Sequence, residues 1–350
     1  MRTIRVLVVD DSLMFRELLV QNLNKDPQIQ VIATAKDPFE ARDAILEYKP
    51  DVMTLDIELP RMSGIEFLRK LMPQYPMPVV MISSLSGRVF DAMSAGAVDF
   101  VAKPVTSNRE ELEDFVKNEL PDKVKIASGA KLIARKKLFS HSVPLAHMPK
   151  VQNTDAGDKN NLVVAIGAST GGTEAIASVL ECLDTDMPGI VIVQHMPKGF
   201  TAMYAERLDQ RSKISVKEAK SGDVVRPGTA FLAPGGDAHM KLVKVNGSYQ
   251  VLIKQAPKVN GHCPSVDVLF DSVAEEAGKN AIGIILTGMG GDGAKGLLHM
   301  REAGARTIGQ DPTTCVVYGM PRVAYEMGAV EYQEKLPDIP KRTYQILRTM

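Results

Sequence analysis

Three aspartates stand where apolar stretches of strand type end: Asp10 and Asp11 after residues 4–9, and Asp56 after residues 52–55. Lys103, followed by Pro104, closes a third such stretch at residues 99–102. In a parallel α/β sheet the strand ends face one crevice, where ligands bind. Carboxylates gathered there repel one another unless a hard divalent cation such as Mg2+ neutralises them, and Mg2+ takes oxygen donors and keeps water in its shell. A lysine at the same edge can hold a second anion beside the metal. This is chemistry for accepting a phosphoryl group on a carboxylate, as a switch would. Singly, each acid reads as a solvated loop residue, and only the constellation points to a site. Ser83, after the apolar residues 79–82, offers a hydroxyl to a phosphoryl oxygen, and Phe100 lies three residues before Lys103.

A second set lies in the other half. Residues 162–166 are apolar and lead into Gly167-Ala168-Ser169-Thr170-Gly171-Gly172, then a helical pattern at 173–180. Strand, glycine-flanked serine and helix match the G-x-S-x-G nucleophile elbow, although such a turn could equally cradle a phosphate. A serine needs a base. His195 ends the strand-like residues 190–194, on the same predicted sheet edge as Ser169. His239, His262 and His299 lack that flanking pattern, and His141 and His147 fall in a linker. Asp292, in Gly288-Met289-Gly290-Gly291-Asp292-Gly293 after residues 281–286, could orient the imidazole. The order Ser, His, Asp differs from the Ser, acid, His order of α/β-hydrolases. The same glycine segment fits G-x-G-x-x-G, with Asp311 about 20 residues on, as a dinucleotide site would require. A carboxylate beside a phosphate-binding turn argues against that rival, which also leaves Ser169 and His195 without work.

The elements that must position these residues follow from the pattern. Ser12 reads as N-cap ahead of a helix over 13–24, Asp37-Pro38 opens one over 39–48, and 64–71 forms a third. Strands alternating with helices predict two doubly wound parallel α/β sheets. The 350 residues suffice for two domains, and 42 basic against 42 acidic residues argue against a dedicated nucleic-acid binder. No apolar run approaches about 18 residues, and the N-terminus enters a strand without a signal-peptide core. Cys182, Cys263 and Cys315 lack metal spacing, which suits a reducing compartment; Cys182 is expected in a helix and Cys315 beside a strand, as buried small hydrophobes. The expected boundaries are a first domain at 1–122, a basic helical segment and linker at 123–160, and a second domain at 161–350. The helix is expected over 123–138, with Lys131, Arg135, Lys136 and Lys137 on it, and exposed linker over 139–161.

The first domain resembles the response-regulator receiver, on "VLVVDDS", "DVMTLDIELPRMSG", "MISS" and "DFVAKP". The resemblance implies Asp56 as phosphoacceptor, with Asp11, Asp56 and the Glu58 carbonyl as Mg2+ ligands and Asp10 hydrogen-bonded beside them. It also implies that Ser83, Phe100 and Lys103 read out the phosphoryl group. The whole chain resembles the CheB family of chemotaxis protein-glutamate methylesterases, on "AIGASTGGTEAI", "QHMPKGFT", "FLAPGGDAHM", "PSVDVLFDSVA" and "LTGMGGDG". That resemblance implies attack by Ser169 on a glutamate γ-methyl ester of a chemoreceptor helix, with His195 as base and Asp292 as its orienting acid. Thr170 and the Met289 N–H would support the nucleophile and oxyanion. Methanol would leave, receptor glutamines would also be deamidated, and the ester reaction would need no cofactor.

A chemotaxis histidine kinase would phosphorylate Asp56 and so relieve occlusion by the receiver. The expected setting is cytoplasmic, peripheral to membrane receptor arrays, with no nucleic-acid partner. Against the family pattern, Cys263 replaces an arginine, Gly291 an asparagine, and residues 84–96 are about one helical turn short. A receiver-controlled, non-enzymatic adaptor is the alternative, and the intact Ser, His, Asp set counts against it.

Overall fold

The computed structural model describes residues 3–84, 87–104, 109–132 and 159–350. The chain divides into two compact units, Met1–Leu132 and Ile133–Met350. Each is built on its own parallel sheet, so the predicted fold class holds for both.

The N-terminal unit alternates β1 (Ile4–Val9), α1 (Leu13–Leu23), β2 (Ile29–Ala35), α2 (Pro38–Tyr48), β3 (Val52–Asp56), α3 (Gly64–Leu71), β4 (Val79–Ser83), α4 (Val89–Ser94) and β5 (Asp99–Ala102). Helices on both faces bury the central strands, which accounts for their nearly unbroken apolar runs. The helix starts obey their caps. The Ser12 hydroxyl accepts from the Phe15 N–H, Asp37 accepts from Phe39 and Glu40, and Ser63 accepts from Glu66. Sheet order β2-β1-β3-β4-β5 makes the chain reverse direction between β1 and β3. Asp10 and Asp56 therefore meet at that switch point, where the crevice opens.

After β5 come α5 (Arg109–Asp114), a π-helical turn at Phe115–Glu119 and α6 (Leu120–Ser128). The helix expected over 123–138 thus starts earlier and stops sooner. Gly129 caps it, and the N–H groups of Gly129 and Ala130 turn back onto Ile126 and Ala127. Glycine is costly inside a helix, so it ends one readily. Lys131 falls beyond that end. Arg135, Lys136, Lys137, His141, His147 and all of the predicted linker except its last residues lie outside the described part. Those last residues form a 3-10 turn at Lys159–Asn161.

The C-terminal unit runs β6 (Val163–Ala168), α7 (Gly172–Leu180), β7 (Gly189–Gln194), α8 (Phe200–Arg211), β8 (Ser215–Glu218), β9 (Thr229–Leu232), β10 (Ala238–Val245) and β11 (Ser248–Gln255). It continues with α9 (Val266–Ala277), β12 (Ala281–Ile285), α10 (Ala294–Glu302), β13 (Arg306–Gln310), α11 (Met320–Glu326), β14 (Tyr332–Glu334) and α12 (Ile339–Leu347). The seven-stranded sheet has the order β14-β13-β12-β6-β7-β9-β8, and β10 and β11 form a separate antiparallel hairpin. β6 is again a switch point: the chain grows to one side through β7, then returns to the other through β12. Cys182 lies past the end of α7 and is only half-buried, against the expectation of a buried helical position, whereas Cys315 is fully buried.

Candidate functional site

At the N-terminal crevice, one carboxylate oxygen each from Asp10, Asp11 and Asp56 lies within 4.8 Å of the others. Lys103 Nζ donates to Asp10 Oδ2 at 2.8 Å and to Asp56 Oδ2 at 2.7 Å. Burial pushes the Asp10 carboxyl up to about 6, with the Asp56 charge adding to the rise and the Lys103 contact opposing it. Burial pulls the Lys103 ammonium down, but its bonds to Asp10 and Asp56 outweigh this and hold it above its ordinary value. Arg16 Nη1 donates to the carbonyls of Asp10 and Asp11, which fixes the loop carrying them. Three hard oxygen donors on one edge fit Mg2+, which leaves the rest of its shell to water.

The Glu58 side chain is exposed and is not one of that group; its N–H donates to Asp56 Oδ1 at 3.2 Å. The Ser83 hydroxyl donates to the Ser84 carbonyl at 2.8 Å, so here it is turned onto its own loop. Phe100 is buried edge-on to Phe90, ring centroids 6.2 Å apart. Gly64, which sequence reading passed over, is a packing requirement: a Cβ there would stand 2.0 Å from the Asp56 carbonyl oxygen. Val89, Ala92 and Met93 of the short α4 are buried, and the Arg88 side chain makes no capping hydrogen bond at its start.

The C-terminal site is built at β6. Ala168 and Gln194 are register partners at the ends of β6 and β7, so Ser169 and His195 leave adjacent strands side by side. Parallel neighbours lie about 4.8 Å apart. Gln194 ties the two loops together, its Nε2 donating to the carbonyls of Ser169 at 3.0 Å and His195 at 3.1 Å. Gly171 at φ +77° turns the chain from Ser169 into α7. On the other flank Gly288 is pressed against the serine, and a Cβ there would come within 2.7 Å of Ser169 Cβ.

His195 Nε2 lies 2.8 Å from Asp292 Oδ2, while Nδ1 is buried and has no hydrogen-bond partner among the described residues. The Asp bond fixes the proton on Nε2 and leaves Nδ1 as the basic nitrogen. Asp292 also accepts from Val266 N at 2.7 Å on the same oxygen. Its Oδ1 takes Ser265 Oγ at 2.7 Å, Asn260 Nδ2 at 2.9 Å and Asp267 N at 3.3 Å. The carboxylate therefore caps the N-terminus of α9, whose own Ser265 makes no side-chain cap. Burial alone would raise its pKa, but the His195 bond and charge and the Asn260 and Ser265 donors hold it well below the usual carboxylate range.

Thr170 is buried, its carbonyl accepting from Thr287 Oγ1 at 3.0 Å. Met289 is 49% exposed at the site mouth, and its N–H has no backbone acceptor among the described residues. That loop is braced from below by the N–H groups of Gly319 and Met320 on the Gly288 carbonyl. His239 is structural: it accepts from Ser265 N at Nδ1 and bonds the Pro257 carbonyl through Nε2. Asp311 serves a local turn through the Thr313 N–H, which removes the ribose ligand that a dinucleotide site would need.

Sequence reading missed Gln194, Asn260 and His262. The His262 ring stacks on His195 at 3.8 Å between centroids and 11° between planes. The Asn260-Gly261 pair, a hairpin-turn signature, was the available signal.

The family model described as CheB methylesterase matches residues 164–343, and that of the response regulator receiver domain matches 6–117. A protein-glutamate methylesterase/protein-glutamine glutaminase 2 of Syntrophomonas wolfei is 56% identical over 100% of this chain and 99% of its own. A protein-glutamate methylesterase/protein-glutamine glutaminase of Syntrophotalea carbinolica is 49% identical over 99% of this chain and 98% of its own. The crystal structure of the Thermotoga maritima CheB methylesterase catalytic domain is 40% identical and superposes with a TM-score of 0.52, covering 53% of this chain and 98% of that one. The chain, with its receiver unit, belongs to the CheB methylesterase family.

Proposed function

We propose that the protein is a carboxylic ester hydrolase that removes γ-methyl esters from glutamate side chains of chemoreceptors under control of its receiver. The observation that carries the reading is the hydrogen-bonded His195–Asp292 pair, with an unpartnered Nδ1, on the strand next to the glycine-flanked Ser169. Ser169 Oγ attacks the ester carbonyl and its proton passes to His195 Nδ1. Asp292 stabilises the imidazolium through Nε2. The tetrahedral oxyanion forms beside the Met289 N–H and Thr170. Its collapse breaks the C–O bond, and His195 returns the proton to the departing methanol. Water then attacks the acyl-serine with His195 as base, releasing the glutamate carboxylate and the serine. The same steps on a γ-amide release ammonia, which is the deamidation named for the relatives above.

Asp56 is the phosphoacceptor in this reading, and the kinase of the chemotaxis pathway is the donor. Asp10, Asp11 and Asp56, with the Glu58 carbonyl, would hold Mg2+, which neutralises phosphoryl charge during transfer. Lys103 carries the second positive charge of the site. Ser83 and Phe100 change their contacts when the phosphoryl group arrives, and the ester reaction needs no cofactor. No helix among the described residues is long and apolar enough to cross a membrane. We place the enzyme in the cytoplasm at receptor arrays, where its substrates are. Methanol release from methyl-labelled receptor membranes, with and without Mg2+ and a small phosphodonor, is the test. Release that rises with the phosphodonor is expected, and a protein that releases none under either condition would be an adaptor, not an esterase.

A further inference from the structure

Asn260 and His262 reach the esterase centre from one tight turn, and the reaction as described gives neither of them work. The turn is closed by reciprocal bonds, Val259 N to His262 O at 3.0 Å and His262 N to Val259 O at 2.9 Å. Asn260 at φ +53° and Gly261 at φ +82° are both left-handed, the conformation of a two-residue hairpin turn of type I′. Its second residue, Asn260, sends an amide to Asp292 Oδ1 at 2.9 Å and to Asp267 Oδ2 at 2.7 Å. Its last lays a ring on His195. One rigid four-residue unit thus touches both the acid and the base of the triad.

We propose that the Val259–His262 turn is the positioning device of this centre, with His262 as the residue that sets the plane of the His195 ring. The inference rests on the esterase reading above. A single hydrogen bond at Nε2 fixes the in-plane direction of an imidazole but leaves it free to rock about the bond axis. On the opposite side Nδ1 has no partner among the described residues that would stop this motion. A flat ring 3.8 Å away and 11° from parallel blocks rocking in the direction perpendicular to that bond. The two restraints are orthogonal, and together they hold Nδ1 in one placement, on the strand end next to the one that carries Ser169. Because proton transfer tolerates little misplacement, a loss of about 1 Å in placement costs on the order of 100-fold in rate.

The test compares His262→Ala, His262→Leu and His262→Phe in the full chain. Phenylalanine keeps a flat face; leucine keeps volume without one. We expect kcat for methanol release to fall about 30- to 100-fold in the alanine and leucine variants with KM within about 3-fold of wild type, and phenylalanine to stay within about 3-fold in both. The His195 ring signal in an imidazole 1H–15N spectrum, assigned by its loss in His195→Gln, reads the same thing without turnover. It should be shifted or broadened in the alanine and leucine variants and wild-type-like in phenylalanine. A wild-type kcat and an unchanged ring signal in the leucine variant would overturn the proposal, as would equal losses in leucine and phenylalanine. If the alanine variant fails to fold, the leucine–phenylalanine pair decides. An inactive wild type would sink the esterase reading alone, and the ring signal would still decide the stack.

Discussion

Asp10 and Asp292 are the same residue in the same kind of place, and their carboxyls are driven in opposite directions. Each lies in the loop after a strand that borders a switch point, β1 for Asp10 and β12 for Asp292, and each is essentially inaccessible to solvent, at 0% and 2% exposure. Burial raises both. What differs is the donor set. Asp10 accepts from Ser12 N and Lys103 Nζ and faces the like charge of Asp56. Asp292 accepts from His195, Val266, Ser265, Asn260 and Asp267. Hydrogen bonds to the ionised form favour it, and a neighbouring carboxylate disfavours it. The receiver crevice is thus left short of positive charge, as would suit the Mg2+ and phosphoryl group proposed for it. The esterase centre is saturated and permanently set.

The sharpest way to break this contrast is Ser169→Ala. Methanol release should fall by about 10⁵-fold or more with phosphate uptake at Asp56 unchanged, and adding His195→Ala should cost little further, because the residues act as one unit. Near-normal turnover in the single variant would remove this serine from the mechanism. Asp292→Asn should cost less, about 10⁴-fold, and should also lower folding stability by about 1–3 kcal/mol through its unpaired donors. The pH dependence carries a sign. The folded-state pKa of Asp292 lies below that of the unfolded chain, so its charge favours folding above about pH 4 and the support is lost as pH falls. A melting-temperature profile of the asparagine variant should therefore be flatter on its acid limb; a parallel profile would mean the carboxylate is not linked to folding.

Asp56→Asn should leave basal methanol release intact and abolish the several-fold rise with phosphodonor and Mg2+. A variant that still responds would move the phosphoacceptor elsewhere. The smallest effect expected concerns α4, whose six residues have an uncapped start. So short a helix is held by packing rather than by its own bonds. Four helix-favouring residues inserted after Arg88 should raise the phosphodonor activation ratio about 2-fold. An equal or larger ratio in the native chain would show that this helix does not carry the signal.

Strand-end chemistry was legible in the sequence because position decides it. Once 4–9, 52–55, 162–166 and 190–194 read as parallel strands, Asp10, Asp56, Ser169 and His195 had to share edges. The neighbours of Asp292 were not legible, since Asn260, Ser265 and Val266 come from a loop and a helix start with no periodicity to place them. His262 was set aside for lacking a strand before it, and a turn delivered it instead. Helix limits were fixed by local detail: Gly129 stopped α6 ahead of the basic cluster, and the π-helical turn at Phe115–Glu119 left no mark on composition.

The saturation of Asp292 also bears on how such a centre can decay. Four of its five donors belong to the scaffold, at the start of α9 and in the turn before it, so losing the acid unpairs a helix end as well as a histidine. The Ser169 hydroxyl carries no such structural bonds among the described residues. Replacing the serine would therefore silence the centre without loosening the fold, whereas replacing the aspartate would do both.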